Sequence, residues 1–134
     1  LLDRLLASAS IEQYLDEGLV SARTLTDYLF DRMEAHDLRR ADVVRASGLN
    51  ATVVYDIFSG KSRPGRDHAI MLAFGLKCTL RETQRLLRLA GVSELWCKQR
   101  RDAIIIWCIR NGFDRIATDN ELYRMGEATL LPAD

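Results

Sequence analysis

The side chains best placed to do chemistry are basic, and they gather in one stretch. Residues 37–66 hold 6 basic groups (Arg39, Arg40, Arg45, Lys61, Arg63 and Arg66) against 3 acidic ones, Asp37, Asp42 and Asp56. Guanidinium and ammonium groups gathered in this way bind phosphate by charge and by directed hydrogen bonds. Elsewhere the balance reverses or evens out. Residues 1–36 carry 3 basic and 7 acidic side chains, the remainder 10 and 9, and the whole chain is neutral. Neutrality works against indiscriminate attraction to a polyanion, so any such affinity must come from the local excess. Covalent and metal chemistry are poorly served. Ser8 and Ser10 have no nearby histidine or glycine elbow, and no glycine-rich phosphate loop occurs. His36 and His68 lack a second ligand at helical spacing. Cys78, Cys97 and Cys108 lack C-x-x-C spacing and sit in apolar sequence. They read as reduced core residues rather than metal or disulfide partners. We therefore expect no enzyme, no metal and no cofactor.

The basic stretch must be carried by two short helices. Val43 and Val44 face inward from the first, over about 39–47. Gly48 stands where the chain must turn sharply, and Leu49 plugs the turn. Asn50 is a good N-cap for the second, over about 50–59, in which Val54 and Ile57 share a core face and Gly60 closes the end. This is the spacing of a helix-turn-helix, whose second helix can lie in the major groove of DNA.

At these residues the chain resembles the lambda-repressor-like, Cro and Xre type of helix-turn-helix family. Leu38, Val43, Gly48, Leu49, Asn50, Val54, Ile57, Gly60, Lys61 and Pro64 occupy the places of that family's pattern, and the likeness covers roughly Thr24 to Ala90. It implies a DNA-binding regulator of a bacterium or phage, acting in the cytoplasm. On that reading Arg40, Lys61, Arg63 and Arg66 anchor phosphates. Asn50, Thr52, Val53 and Asp56 lie at the DNA-facing helix, with Ala51, Tyr55 and Ser59 also turned outward. The sequence departs from the family on the reading face. Alanine, threonine and valine can touch a thymine methyl but cannot supply a bidentate pair, and Asp56 is negative where the groove would lie. Arg39 replaces the usual serine N-cap, with Asp42 able to bond back to the helix start. The alternative is therefore a helix-turn-helix scaffold that no longer reads DNA and serves as a protein-interaction adaptor.

The rest of the chain reads as helices too, and no strand signal occurs. Ser10 to Gly18 suggests an N-terminal helix. Thr24 to His36 carries an apolar stripe of Leu25, Tyr28, Leu29 and Met33 with the Arg32 stem along it. His68 to Leu76 follows the loop at Pro64, and Thr79 with Glu82 forms a capping box for a helix ending at Gly91. Arg81, Arg85 and Arg88 make a basic stripe on that helix, either a solvated face or a meeting place for phosphate or an acidic partner. Arg101 to Arg110 is apolar on nearly every side, so it must be central in a bundle or covered by a partner. A last helix runs from about Asp114 to Met125. The fold class is all-α: a segment at 1–22, a five-helix lambda-repressor-like domain at 23–91, and a C-terminal helical hairpin at 92–134.

The chain also matches itself. Slid by 35 residues, Arg66–Leu95 falls without gaps on Arg101–Leu130, with 7 identities that include Arg66/Arg101, Asp67/Asp102, Thr83/Thr118 and Gly91/Gly126. Duplication of a helical hairpin and chance among amphipathic helices are both open at this point. Ile104 and Trp107 mark the apolar helix of the extension as ordinary core or as an interaction seam, for a homodimer or another protein. No apolar run approaches membrane-spanning length. The chain begins at Leu1 rather than methionine, so the protein's start is expected upstream, and nothing in it has the order of a signal peptide.

Overall fold

A computed structural model describes residues 24–132. The expected helix at Ser10–Gly18 lies outside the described residues. Among the described residues there are seven helices and no strand: α1 (Leu25–Ala35), α2 (Arg40–Ser47), α3 (Ala51–Phe58), α4 (Arg66–Gly75), α5 (Leu80–Leu89), α6 (Arg100–Arg110) and α7 (Arg115–Arg124).

Local chemistry sets the boundaries. Thr24 caps α1 and Thr79 caps α5, each with a capping box closed by Asp27 and Glu82. Arg39 has no hydroxyl to cap α2, and Asp42 does half of the job: its carboxylate accepts the Arg39 N–H at 2.9 Å. That bond is the leading reason the Asp42 carboxyl titrates below its ordinary range.

Three of the corners are made in the same way. A residue in the left-handed region, Asp37, Lys77 or Gly112, follows α1, α4 or α6. The next N–H then reaches back five residues: Leu38 to Met33, Cys78 to Ala73, and Phe113 to Cys108, at 2.8, 2.9 and 3.0 Å. At the second and third of these corners the two helices pack side by side, giving the α4–α5 and α6–α7 hairpins, whereas α2 leaves α1 to pack on α4 and α3.

One continuous core joins them. Leu29, Val43, Val54, Ile57, Phe58, Ile70, Leu72, Leu86 and Leu87 are buried together with Ile105, Leu122 and Leu130 of the C-terminal part. The tightest crossing is α2 over α4. A Cβ on Gly75 would stand 2.8 Å from the Ser47 Cβ and 2.9 Å from the Val43 carbonyl, so only glycine lets these backbones approach.

The 35-residue likeness is realised in contacts. Arg66 grips both carboxylate oxygens of Asp102 at 3.0 and 2.6 Å, and Arg101 grips both of Asp67 at 2.9 and 3.1 Å. The first arginine also donates to the carbonyls of Ser93 and Glu94, the second to those of Ala128 and Thr129, again 35 residues on. Thr83 and Thr118 each return a hydroxyl to the carbonyl of their own N-cap at 2.8 Å. Gln84 and Asp119 hold the N–H groups of Leu95 and Leu130 at 2.7 Å each. A reciprocal exchange of this kind is the signature of a two-fold relation, here between the α4–α5 and α6–α7 hairpins of one chain.

Two expectations are corrected. α6 is not central: Ile105 and Cys108 are buried, Ile104, Ile106 and Ile109 half-buried, and Trp107 is 54% exposed. The cysteines do not all lie in the core. Cys108 is buried and Cys78 half-buried, with burial pushing the Cys78 thiol up to about 12, but Cys97 is exposed in the α5–α6 link.

Candidate nucleic-acid interface

The α2–α3 pair is built around Gly48 and Asn50. Gly48 has φ +78°. Its neighbour Ser47, fully buried, uses its hydroxyl to accept the Leu49 N–H at 3.1 Å, which stiffens the turn. Asn50 caps α3 by accepting the Thr52 N–H at 2.7 Å. This commits the side-chain oxygen and leaves the amide NH2 to donate outward. Val54, Ile57 and Phe58 turn into the core, and Phe30 of α1 meets Phe58 edge-on at 5.2 Å.

The exposed strip of α3 is Ala51, Thr52, Tyr55 and Ser59. Val53 is half-buried against the core, so it does not stand free as a reading residue. Asp56 is also half-buried, and its carbonyl closes the helix by accepting the N–H groups of Lys61 at 2.9 Å and Ser62 at 3.2 Å. Arg40, at the first turn of α2, lies with its guanidinium 5.2 Å from the Tyr55 ring centroid, a cation–π contact across the pair. Among the described residues Arg40, Lys61 and Arg63 are exposed and form no ion pair.

Arg66 is different, and the expectation of a phosphate contact is corrected there. Its fork is taken up by Asp102 and its remaining donors by the Ser93 and Glu94 carbonyls. It ties hairpin to hairpin. Asp102 is 5% exposed in its side chain; burial alone would raise its carboxyl, but Arg66 and the Trp96 N–H outweigh that and hold it below the ordinary range.

Two contacts at this site were not legible in the sequence. The Tyr55–Arg40 stack joins residues on different helices, and only the angle of α2 to α3 brings them together. The other is Arg115 of α7, 91% buried, whose side chain lies against the turn. A Cβ on Gly48 would stand 2.5 Å from the Arg115 Nε and 2.8 Å from its Cζ. Arg115 is held by Asp119 at 2.6 Å, which in turn accepts from Leu130 and Leu131. The C-terminal part thus reaches the α2–α3 turn with a charged, hydrogen-bonded side chain, separated from it by 67 positions in sequence.

Ile104 and Trp107 lie away from this pair. They line an open apolar groove of about 270 Å³ between α6 and α7 with Ala103, Glu121, Arg124 and Met125. Trp107 rests edge-on against Phe113 at 5.2 Å. No group of histidine, cysteine or carboxylate side chains that could hold a metal occurs among the described residues, and no helix among them is long and apolar enough to cross a membrane. Comparison of the chain with protein-family models, with curated proteins and with solved structures finds no match.

Proposed function

We propose that this chain is a lambda-repressor-like, Xre-type helix-turn-helix protein that binds double-stranded DNA and regulates transcription in the cytoplasm. The observation that carries the reading is Arg40, exposed, without an ion pair among the described residues, and stacked on Tyr55 of α3. The Arg40 guanidinium, a fork suited to phosphate, would then stand beside the helix that enters the groove. Lys61 and Arg63 follow α3 and would take the phosphates beyond it. Thr52, Tyr55 and the Asn50 amide are the groups left to meet base edges. With so few hydrogen-bonding side chains there, methyl contacts and DNA shape would carry much of the selectivity. Two copies would read half-sites about 34 Å apart.

A second reading, the adaptor, is favoured by where apolar surface collects. Of the eight large apolar or aromatic side chains more than a third exposed among the described residues, Phe30 and Tyr55 lie before α5, and six (Trp96, Trp107, Ile116, Tyr123, Met125 and Leu131) lie beyond it. Fluorescence anisotropy with a random-sequence duplex, titrated with salt, separates the two. For three phosphate contacts the log–log slope is about −3, and Arg40→Ala reduces it by about 1. Absence of binding at low salt would sink the DNA reading and leave the adaptor.

A further inference from the structure

A second cluster of arginines lies on the other side of the molecule. Tyr28 and Arg32 of α1, with Arg81, Glu82, Arg85 and Arg88 of α5, line a cavity of about 290 Å³. Phe30, whose ring meets α3, points away from Tyr28 and Arg32, because two residues along a helix are about 200° apart. The cavity therefore sits on the face of α1 opposite α3.

Four guanidinium groups share this cavity with one carboxylate, and that carboxylate is fully used. Glu82 accepts from Arg32, from the His36 ring at 3.2 Å and from the Thr79 N–H at 2.9 Å. Arg81 has no ion pair among the described residues. Arg85 lies 5.7 Å from the centroid of the Tyr28 ring, and Arg88 only approaches Glu94, at 3.9 Å with both side chains well exposed. At i, i+4 and i+7, these three line about 10 Å of one helix face.

The hairpin does not require them. In the equivalent hairpin, 35 residues on, the places of Arg81, Arg85 and Arg88 are held by Ile116, Asn120 and Tyr123. The corner, the threonine hydroxyl bond and the glycine turn are all kept there. Like charges set along one face cost stability, so their collection around a cavity calls for an anion.

We infer that this cavity binds a diphosphate group, either as free pyrophosphate or as part of a nucleoside diphosphate. The size fits a small ligand rather than a duplex. Guanidinium forks match phosphate oxygens bidentately, and about three positive charges meet the roughly three negative charges of a diphosphate. The Tyr28 ring is 97% buried beneath Arg32 and Arg85, so it forms the floor rather than a stacking platform for a base.

Isothermal titration calorimetry on the full chain, with sodium pyrophosphate at constant ionic strength and sodium chloride as the control, tests the assignment. Saturable binding is expected, weakened at least about tenfold by Arg81→Gln/Arg85→Gln and unchanged by Arg40→Gln. A parallel titration with ADP and GDP distinguishes the sources: tighter binding than pyrophosphate assigns the site to a nucleotide, equal or weaker binding to the free anion. No saturable heat beyond the chloride control overturns the proposal. Undiminished binding in the double variant overturns it equally. Loss of duplex binding in the double variant as large as in Arg40→Ala would make the cluster part of a DNA face, which also overturns it. The pyrophosphate result stands whether or not the chain binds DNA, so the two proposals fail separately.

Discussion

The α4–α5 and α6–α7 hairpins are alike where they face each other and unlike where they face away. At their common interface they share the crossed Arg–Asp pairs, and within each hairpin the threonine hydroxyl bond and the glycine that follows the second helix. They also share buried pairs such as Ile70 with Ile105 and Leu87 with Leu122. Away from it they diverge. Ala69, Leu72, Leu86 and Ala90 of the first are buried. Their equivalents in the second, Ile104, Trp107, Glu121 and Met125, line an open groove. The solvent side of α5 is basic, whereas that of α7 carries Ile116 and Tyr123 at 61% and 76% exposure. The shared set is what the architecture needs. The divergent set is free of that requirement and is where function can be sought.

The largest effects test the shared set. Leu87→Ala and Leu122→Ala each remove a fully buried side chain from equivalent places. Each is expected to cost about 3 kcal/mol in urea denaturation, with a single transition. A cost below about 1 kcal/mol for Leu122→Ala alone would mean that the second hairpin is not part of the cooperative unit.

The crossed pairs separate next, by burial. Asp102 is 5% exposed and takes bonds from Arg66 and the Trp96 N–H, whereas Asp67 is 42% exposed. Asp102→Ala removes a buried acceptor that serves both the Arg66 fork and the Trp96 N–H, and is expected to cost about 3 kcal/mol. Asp67→Ala, in a wetter pair, should cost about 1 kcal/mol or less. Equal losses would show that the two pairs are energetically equivalent in spite of their exposure.

The same asymmetry has a pH dependence. The Asp102 carboxyl is held below its ordinary range in the folded chain, so it binds a proton less readily there than when unfolded. Its contribution is complete above the unfolded value of about 3.9 and is lost as pH falls through the lower, folded value. Chemical denaturation between pH 5 and pH 2 should therefore show a steeper loss in the parent chain than in Asp102→Asn. An unchanged slope in the variant would remove Asp102 from the acid response.

Much of this was readable from residues. Caps at Asn50 and Thr79, the turn at Gly48 and the helix ends at Gly91 and Gly126 follow from side-chain chemistry within a few positions, and the all-α class with them. The 35-residue spacing was visible as identities, but the exchange of partners was not. Arg66 and Asp67 are neighbours in sequence, and nothing local says that each will choose the other hairpin. Arg66 illustrates the cost of that: by position it reads as a phosphate ligand, and by contact it is a tie. Arg115 against Gly48 is the same lesson over a longer span, since periodicity describes one helix at a time.

The smallest effect is the most diagnostic of the open groove. Leu72 and Trp107 occupy equivalent positions, one fully buried and one 54% exposed. Leu72→Ala should cost about 3 kcal/mol, because it leaves a cavity in the core. Trp107→Ala removes more carbon but loses only the edge contact with Phe113 and partial burial, so it should cost about 1 kcal/mol or less in a dilute sample. That ordering holds only while the groove stays open. If the groove is covered in solution, the loss in Trp107→Ala approaches that of Leu72→Ala. If a second copy does the covering, the parent's unfolding midpoint rises with protein concentration while the variant's does not. Measured at two concentrations fiftyfold apart, the pair of variants therefore reports whether the second hairpin's outer face is a solvated surface or the counterpart of the face that the first hairpin buries.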